Sequence, residues 1–172
     1  MPLSTRLAEL EKILDLRYET LSKAGKRLAI TDEIFAKNAI EQRIREEILP
    51  ELRQYETEYW QLLAQEANSC TVEEVDAHNA IFLVVQKIEL IEKNSSANYP
   101  DDLMRLLLEI RDKLNQPGTP AAAKAKIALP LLPGILSYEV ELDTENALRQ
   151  AFQPLKRLFK QAEENKKAEK KQ

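Results

Sequence analysis

Leucines recur on a three-four spacing from the start of the chain, at Leu3, Leu7, Leu10, Leu14, Leu21 and Leu28, with Arg17 and Ala24 filling the missing steps of the same seam. Almost four heptads of this kind predict a long helix with a coiled-coil-like face. Ile13, Leu16 and Tyr18 widen that face. Thr31 and Asp32 then offer capping oxygens ahead of a second amphipathic run, in which Ile40, Ile44, Ile48, Leu52, Tyr55, Tyr59 and Leu62 recur at helical spacing. Two such runs joined by a short polar break predict an antiparallel helical hairpin over residues 3–68. Pro50 lies inside the second run and has no backbone donor, so a kink near Ile48, or two abutting helices, is expected there.

Asn68, Ser69 and Cys70 interrupt the pattern, and Thr71 with Glu74 three residues on reads as a capping box. The helix it opens runs through Val75, Phe82, Val85, Ile88 and Ile91. Its centre, Ile81 to Val85, is apolar on every side, which predicts a central core helix. Asn94 to Tyr99 reads as a polar linker. Pro100, Asp101 and Asp102 suit a first helical turn, and Leu103, Leu106, Leu107, Ile110 and Leu114 make one apolar stripe that ends before Pro117 and Gly118.

The stretch from Gln116 to Phe159 carries two competing periods. Thr119, Pro120 and three alanines read as a helix start, yet Ala125, Ile127, Leu129 and Leu131 alternate with Lys124, Lys126 and Ala128 as a strand would. Leu136, Tyr138, Val140 and Leu142 alternate with Ser137, Glu139 and Glu141, the pattern of a half-buried strand. A lone strand leaves backbone groups unpaired, so Lys124–Leu131 is its cheapest partner, turned by Leu132, Pro133 and Gly134, with Pro130 at an edge or bulge. Asp143 then caps a last helix through Leu148, Phe152, Leu155 and Phe159, bent near Pro154. The expected fold is mainly α: an antiparallel helical hairpin, a helical bundle and a small C-terminal β-hairpin, with an all-α arrangement as the alternative. Residues 1–162 are expected to form one helical domain, divided into 3–68 and 71–162, ahead of a flexible basic tail at 163–172.

Composition narrows the function classes. Of 172 residues 44% are apolar, 31% are charged and three are glycine, which describes a folded, helix-rich chain. The formal charge is −4, but Lys156 to Gln172 holds seven basic and three acidic residues, so the remainder carries −8. An acidic body has no attraction for phosphate backbones, which argues against nucleic acid as a partner. A single cysteine, Cys70, cannot form an internal disulfide, and no secretory signal opens the chain, so the cytoplasm is the default compartment. The longest uncharged run, Ile127 to Tyr138, is about twelve residues with two prolines, against roughly 20 for a membrane-spanning helix. No transmembrane segment is expected.

Candidate chemistry is sparse. His78 has no second histidine or nearby cysteine for a metal and no nucleophile elbow for a triad, so it reads as an ordinary helical histidine. Cys70 precedes a helix start, where thiolates can be stabilised, but it lacks companions and reads as an inert thiol. Glu46 with Glu47, Glu73 with Glu74, and Glu163 with Glu164 are neighbours that point about 100 degrees apart on a helix and read as solvated faces. No glycine-rich phosphate loop is present. Tyr55, Tyr59 and Trp60 form the one aromatic cluster, a packing seam or, with Trp60 exposed, an interface anchor. Tyr138 would point inward from the strand, while Glu139, Glu141 and Asp143 alternate on its other face, where they could hold a cation but read better as charges guarding an edge. No catalytic, cofactor-binding or metal-binding residue is assigned. The candidate interface comprises Tyr55, Tyr59, Trp60, Tyr138, Glu139 and Glu141.

The runs LEKILDLRYETLSKAGKRLAI and EQRIREEILPELRQYETEYWQLL, and above all ALPLLPGILSYEVELDTENALRQAFQPLKRLF, resemble the small non-catalytic modules of bacterial, chiefly cyanobacterial, multidomain signalling and conflict proteins, often called effector-associated domains. The resemblance implies an adaptor without cofactor or turnover. Its partners would be proteins: an NTPase switch, a caspase-like or other peptidase, a TIR-type effector, or a second copy in a homo-oligomer. The other reading is a peripheral lipid-associated protein in which Ile127 to Leu136 and the Lys-rich tail meet an anionic surface.

Overall fold

A computed structural model describes residues 3–94 and 99–170. All regular structure among the described residues is helical: α1 (Leu3–Ile30), α2 (Ile34–Arg43), α3 (Leu49–Ala67), α4 (Glu74–Asn94), α5 (Asp101–Leu114), α6 (Ala121–Ala128), α7 (Leu132–Leu136) and α8 (Leu142–Lys170). A π-helical turn, Ile44–Ile48, joins α2 to α3, and a 3-10 turn, Leu129–Leu131, joins α6 to α7. Backbone contacts divide the chain into two compact units, Met1–Tyr59 and Trp60–Gln172, so the division falls inside α3 and not at the 68–71 break that the polar residues suggest.

The first unit is the expected antiparallel hairpin. Leu7, Leu10, Leu14 and Leu21 are buried, as are Ile44, Ile48, Leu49, Leu52 and Tyr59 on the returning arm. Polar ties fix the antiparallel register: the Arg6 guanidinium donates to both carboxylate oxygens of Glu58 at 2.7 and 3.0 Å, and Arg17 pairs with Glu51. Alongside those ties, the Tyr18 hydroxyl donates to the buried Glu56 at 3.0 Å. Pro50 acts through the turn before it. Its ring crowds the carbonyl four residues back, which belongs to Glu46 inside the π turn, and the wide bond from Leu49 N–H to the Ile44 carbonyl lets the helix pass the proline without ending. The cap also differs from expectation. Thr31 closes α1 by donating its hydroxyl to the Arg27 carbonyl, while Glu33 accepts from the Phe35 and Ala36 amides to start α2.

In the second unit, α4 packs on α8, α6 and α5. Its inward face of Ala77, Ile81, Val84 and Ile88 meets a core that includes Leu103, Leu107, Ile110, Leu129, Leu132, Ile135, Phe152, Leu155 and Phe159. Gly118 at φ 83 supplies the left-handed step after α5 that a side chain would strain. The β-hairpin expected over Lys124–Leu142 is not present. Ala121, Ala125 and Ala128 bury one helical face of α6, and Ile127, which a strand would have placed with Ala125 and Leu129, is exposed. Alanine is the strongest helix former and Ile127 is the segment's single β-branched residue, so the helix start at Pro120 outweighs the period-two pattern. Tyr138, Val140 and Leu142 remain half-buried and Glu139 and Glu141 exposed, as the alternation suggests, but residues 138–141 have no strand to pair with. The basic tail is likewise ordered further than expected, because residues 163–170 are the last turns of α8. The linker expected at Asn94 to Tyr99 falls mostly on 95–98, outside the described residues.

Candidate functional site

Helix α4 has two apolar faces. At about 100 degrees per residue, Val75, Phe82, Leu83 and Leu90 fall with Asn79 and Gln86 in one stripe about 100 degrees wide, opposite Ala77, Ile81, Val84 and Ile88. The outer stripe is open to solvent: Val75 is 70% exposed and Phe82 63%. It extends over ~22 Å at roughly 1.5 Å per residue. Beside its first half lies a groove of about 270 Å³ between α4 and α8, walled by Val72, Asn79 and Leu83 on one side and Pro154, Leu158 and Ala162 on the other, with Asp76 and Arg157 at its polar edge. The expectation that Ile81 to Val85 would be covered all round is therefore corrected; Ile81 and Val84 are covered, and Phe82 and Leu83 are not. Within Ile81 to Val85 nothing in the sequence pattern separates the two faces, because both are apolar there.

The sequence-derived interface residues are divided between the two units, Tyr55 and Tyr59 in the first and Trp60, Tyr138, Glu139 and Glu141 in the second. Tyr59 and Trp60 are 1% and 5% exposed, which fits the packing-seam reading, and a side chain so buried offers nothing to a partner. Tyr55 is half-buried, with the Arg17 guanidinium carbon 5.9 Å from its ring centroid. Tyr59 donates its hydroxyl to Glu11 at 3.2 Å. Tyr138, Glu139 and Glu141 lie in the non-helical stretch before α8, which forms no strand edge for a partner to extend.

The residues with candidate chemistry have structural tasks. Glu74 does not close a capping box with Thr71; its carboxylate reaches 47 residues along the chain to accept the Ala121 amide at 2.7 Å, and the Ala122 amide at 3.0 Å. Pro120 has no side-chain oxygen to cap α6, so Glu74 satisfies two of the orphan donors there. Those amides, with Lys124 and His78 assisting, hold the Glu74 carboxyl below its ordinary value. His78 itself is exposed. Cys70 is buried, and desolvation pushes its thiol up while Lys166 and Lys126 pull the other way, leaving a poor thiolate. Its carbonyl accepts from the Lys126 ammonium at 2.7 Å. Lys166 on α8 bonds the Ser69 hydroxyl and lies 3.8 Å from Glu66, so this cluster ties the turn after α3 to α6 and α8.

Among the described residues no group of histidine, cysteine and carboxylate side chains could hold a metal ion. No helix there is long and apolar enough to cross a membrane. The segment proposed for lipid contact, Ile127 to Leu136, is largely internal, with Leu129, Leu132 and Ile135 fully buried and Ile127 alone protruding among its large apolar residues. Compared with family models, with curated proteins and with solved structures, the chain matches none.

Proposed function

We propose that this chain is a non-catalytic protein interaction module, and that it docks an amphipathic helix of a partner protein on the outer face of α4. The observation that carries the reading is the stripe of Val75, Phe82, Leu83 and Leu90, apolar and solvent-exposed on a helix whose opposite face is already packed. A stripe one helix wide and about four turns long, with uncharged Asn79 and Gln86 between its apolar residues, suits anchors at three-four spacing on a second helix. The groove against α8 gives such an anchor a place to seat at Leu83. Asp76 and Arg157 at its rim would select partners by charge while adding little affinity. The resemblance to effector-associated modules supplies the setting: recruitment or regulation of an NTPase, peptidase or TIR-type effector in bacterial signalling or defence. The strand-edge contact that the sequence suggested has no part in this reading.

The test is affinity capture from source cells with the full chain, followed by reconstitution of each captured protein with purified chain and with Leu83→Asp and Leu90→Asp variants. A partner that binds directly and loses at least about tenfold in affinity with either variant supports the proposal. Direct partners indifferent to both substitutions refute it.

A further inference from the structure

The far end of the hairpin in the first unit presents a second apolar surface of different chemistry. Ile30 is the last residue of α1, and Ile34 and Phe35 are the first two of α2, so three large apolar side chains crowd a single turn. Ile30 is 81% exposed and Phe35 78%. Helix α2 buries no residue at all, and from Ser22 to Arg43 no side chain is buried, so nothing in the first unit covers this end. The charge around it is inverted relative to the rest of the chain. Residues 23–37 hold four basic side chains, Lys23, Lys26, Arg27 and Lys37, against Asp32 and Glu33, a balance of +2 in a chain of −4, so all other residues together carry −6.

The cations sit behind the apolar tip. Arg27 and Lys26 precede Ile30 by three and four residues and Lys37 follows Ile34 by three, which places the basic side chains ~4–6 Å back along the helices at roughly 1.5 Å per residue. Of the two acids, Glu33 is engaged with the first amides of α2 at 3.0 and 2.7 Å. Asp32 and Glu33 are both exposed at the apex and oppose an anion, the Glu33 charge offset in part by the amides it caps and Asp32 by no such cap among the described residues.

We infer that the hairpin tip binds an anionic lipid surface, with Ile30, Ile34 and Phe35 entering the headgroup boundary and Lys26, Arg27 and Lys37 resting among the lipid phosphates. Apolar side chains that enter an interface reach roughly 5–10 Å into it, and a basic collar 4–6 Å behind them then lies at phosphate depth, about the arrangement seen here. A protein groove offers no reason for this vertical order of charge, whereas a membrane surface imposes it. The tip is separate in sequence from the α4 stripe, so lipid binding and partner docking stand or fall independently.

The experiment is co-sedimentation of the full chain with phosphatidylcholine vesicles and with vesicles containing about a third phosphatidylglycerol, at low and high salt. The chain is expected to pellet with the anionic vesicles alone, and to be released by salt. Phe35→Asp should lower the bound fraction at least about tenfold, and so should Lys26→Glu with Arg27→Glu, with helix content by circular dichroism unchanged because all three side chains are exposed. Asp32→Asn should bind more tightly than the parent. Absence of pelleting with anionic vesicles overturns the inference. Pelleting that survives Phe35→Asp also overturns it and transfers the contact to the C-terminal lysines, and a tip-dependent dimer in sedimentation velocity without vesicle binding replaces the lipid by a second copy.

Discussion

Helices α4 and α5 belong to the same unit and pack on one another, but they spend their apolar residues differently. In α5, Leu103, Leu107, Ile110 and Leu114 are fully buried, and the opposite side carries Asp101, Asp102, Arg105, Glu109 and Asp112. One covered stripe and one charged face describe a helix whose contacts are complete. Helix α4 buries a comparable inner stripe and then repeats apolar residues on its outer side. Folding of this unit does not need that second stripe, since its residues remain in water after the core has closed. The difference leaves apolar surface exposed on the outer side of α4, which is why we propose that face as a docking surface.

Substitutions that enlarge the contrast come first. Leu107→Ala on α5 removes a fully buried side chain and should destabilise the second unit by about 2–5 kcal/mol in chemical denaturation. Phe82→Ala on the outer face of α4 should change the same midpoint by no more than about 0.5 kcal/mol, although the deleted side chain is larger. Equal losses at the two positions would mean that the outer stripe is covered after all. In the first unit, Tyr18→Phe takes a hydroxyl away from the buried Glu56 carboxylate and should cost about 1–2 kcal/mol. A neutral result would show that Glu56 is satisfied without it.

A smaller, pH-dependent effect is expected at the start of α6. The Glu74 carboxyl is held below its ordinary value of 4.5 chiefly by the Ala122 and Ala121 amides, so its contribution is present above the ordinary value and is lost as pH falls through the depressed one. Amide exchange at Ala121 and Ala122 should therefore quicken in acid relative to neighbouring amides, after correction for intrinsic rates. In Glu74→Gln it should be fast already at neutral pH, with little further change in acid. Identical protection profiles in parent and variant would remove Glu74 as the cap.

The same contrast explains which features the sequence announces. Helix α5 is legible because its apolar residues recur on one stripe with charges opposite, and the Leu7 to Leu21 heptads are legible for the same reason. Both patterns are local and have one solution. Lys124 to Leu142 satisfies two periods at once, and the outcome turned on alanine helix propensity and on packing against α4 and α5, which sequence spacing does not contain. The cap of α6 was hidden for another reason, since its acceptor lies 47 residues away on α4. The open face of α4 was missed because an all-round apolar run such as Ile81 to Val85 is equally the mark of a fully enclosed helix and of one with an open face. Exposure of Phe82 and Val75, visible in three dimensions alone, separates the two.

The most direct test of the docking claim replaces Phe82 with a photo-crosslinking phenylalanine derivative in the full chain, expressed in source cells, with a control derivative at the exposed position Arg105 on the charged side of α5. The account predicts a specific adduct from position 82 and none from position 105, with the crosslinked peptide of the partner reading as an amphipathic helix and the adduct lost when Leu90→Asp is added. An adduct with a second copy of this chain, or no adduct beyond that of the control, would contradict it.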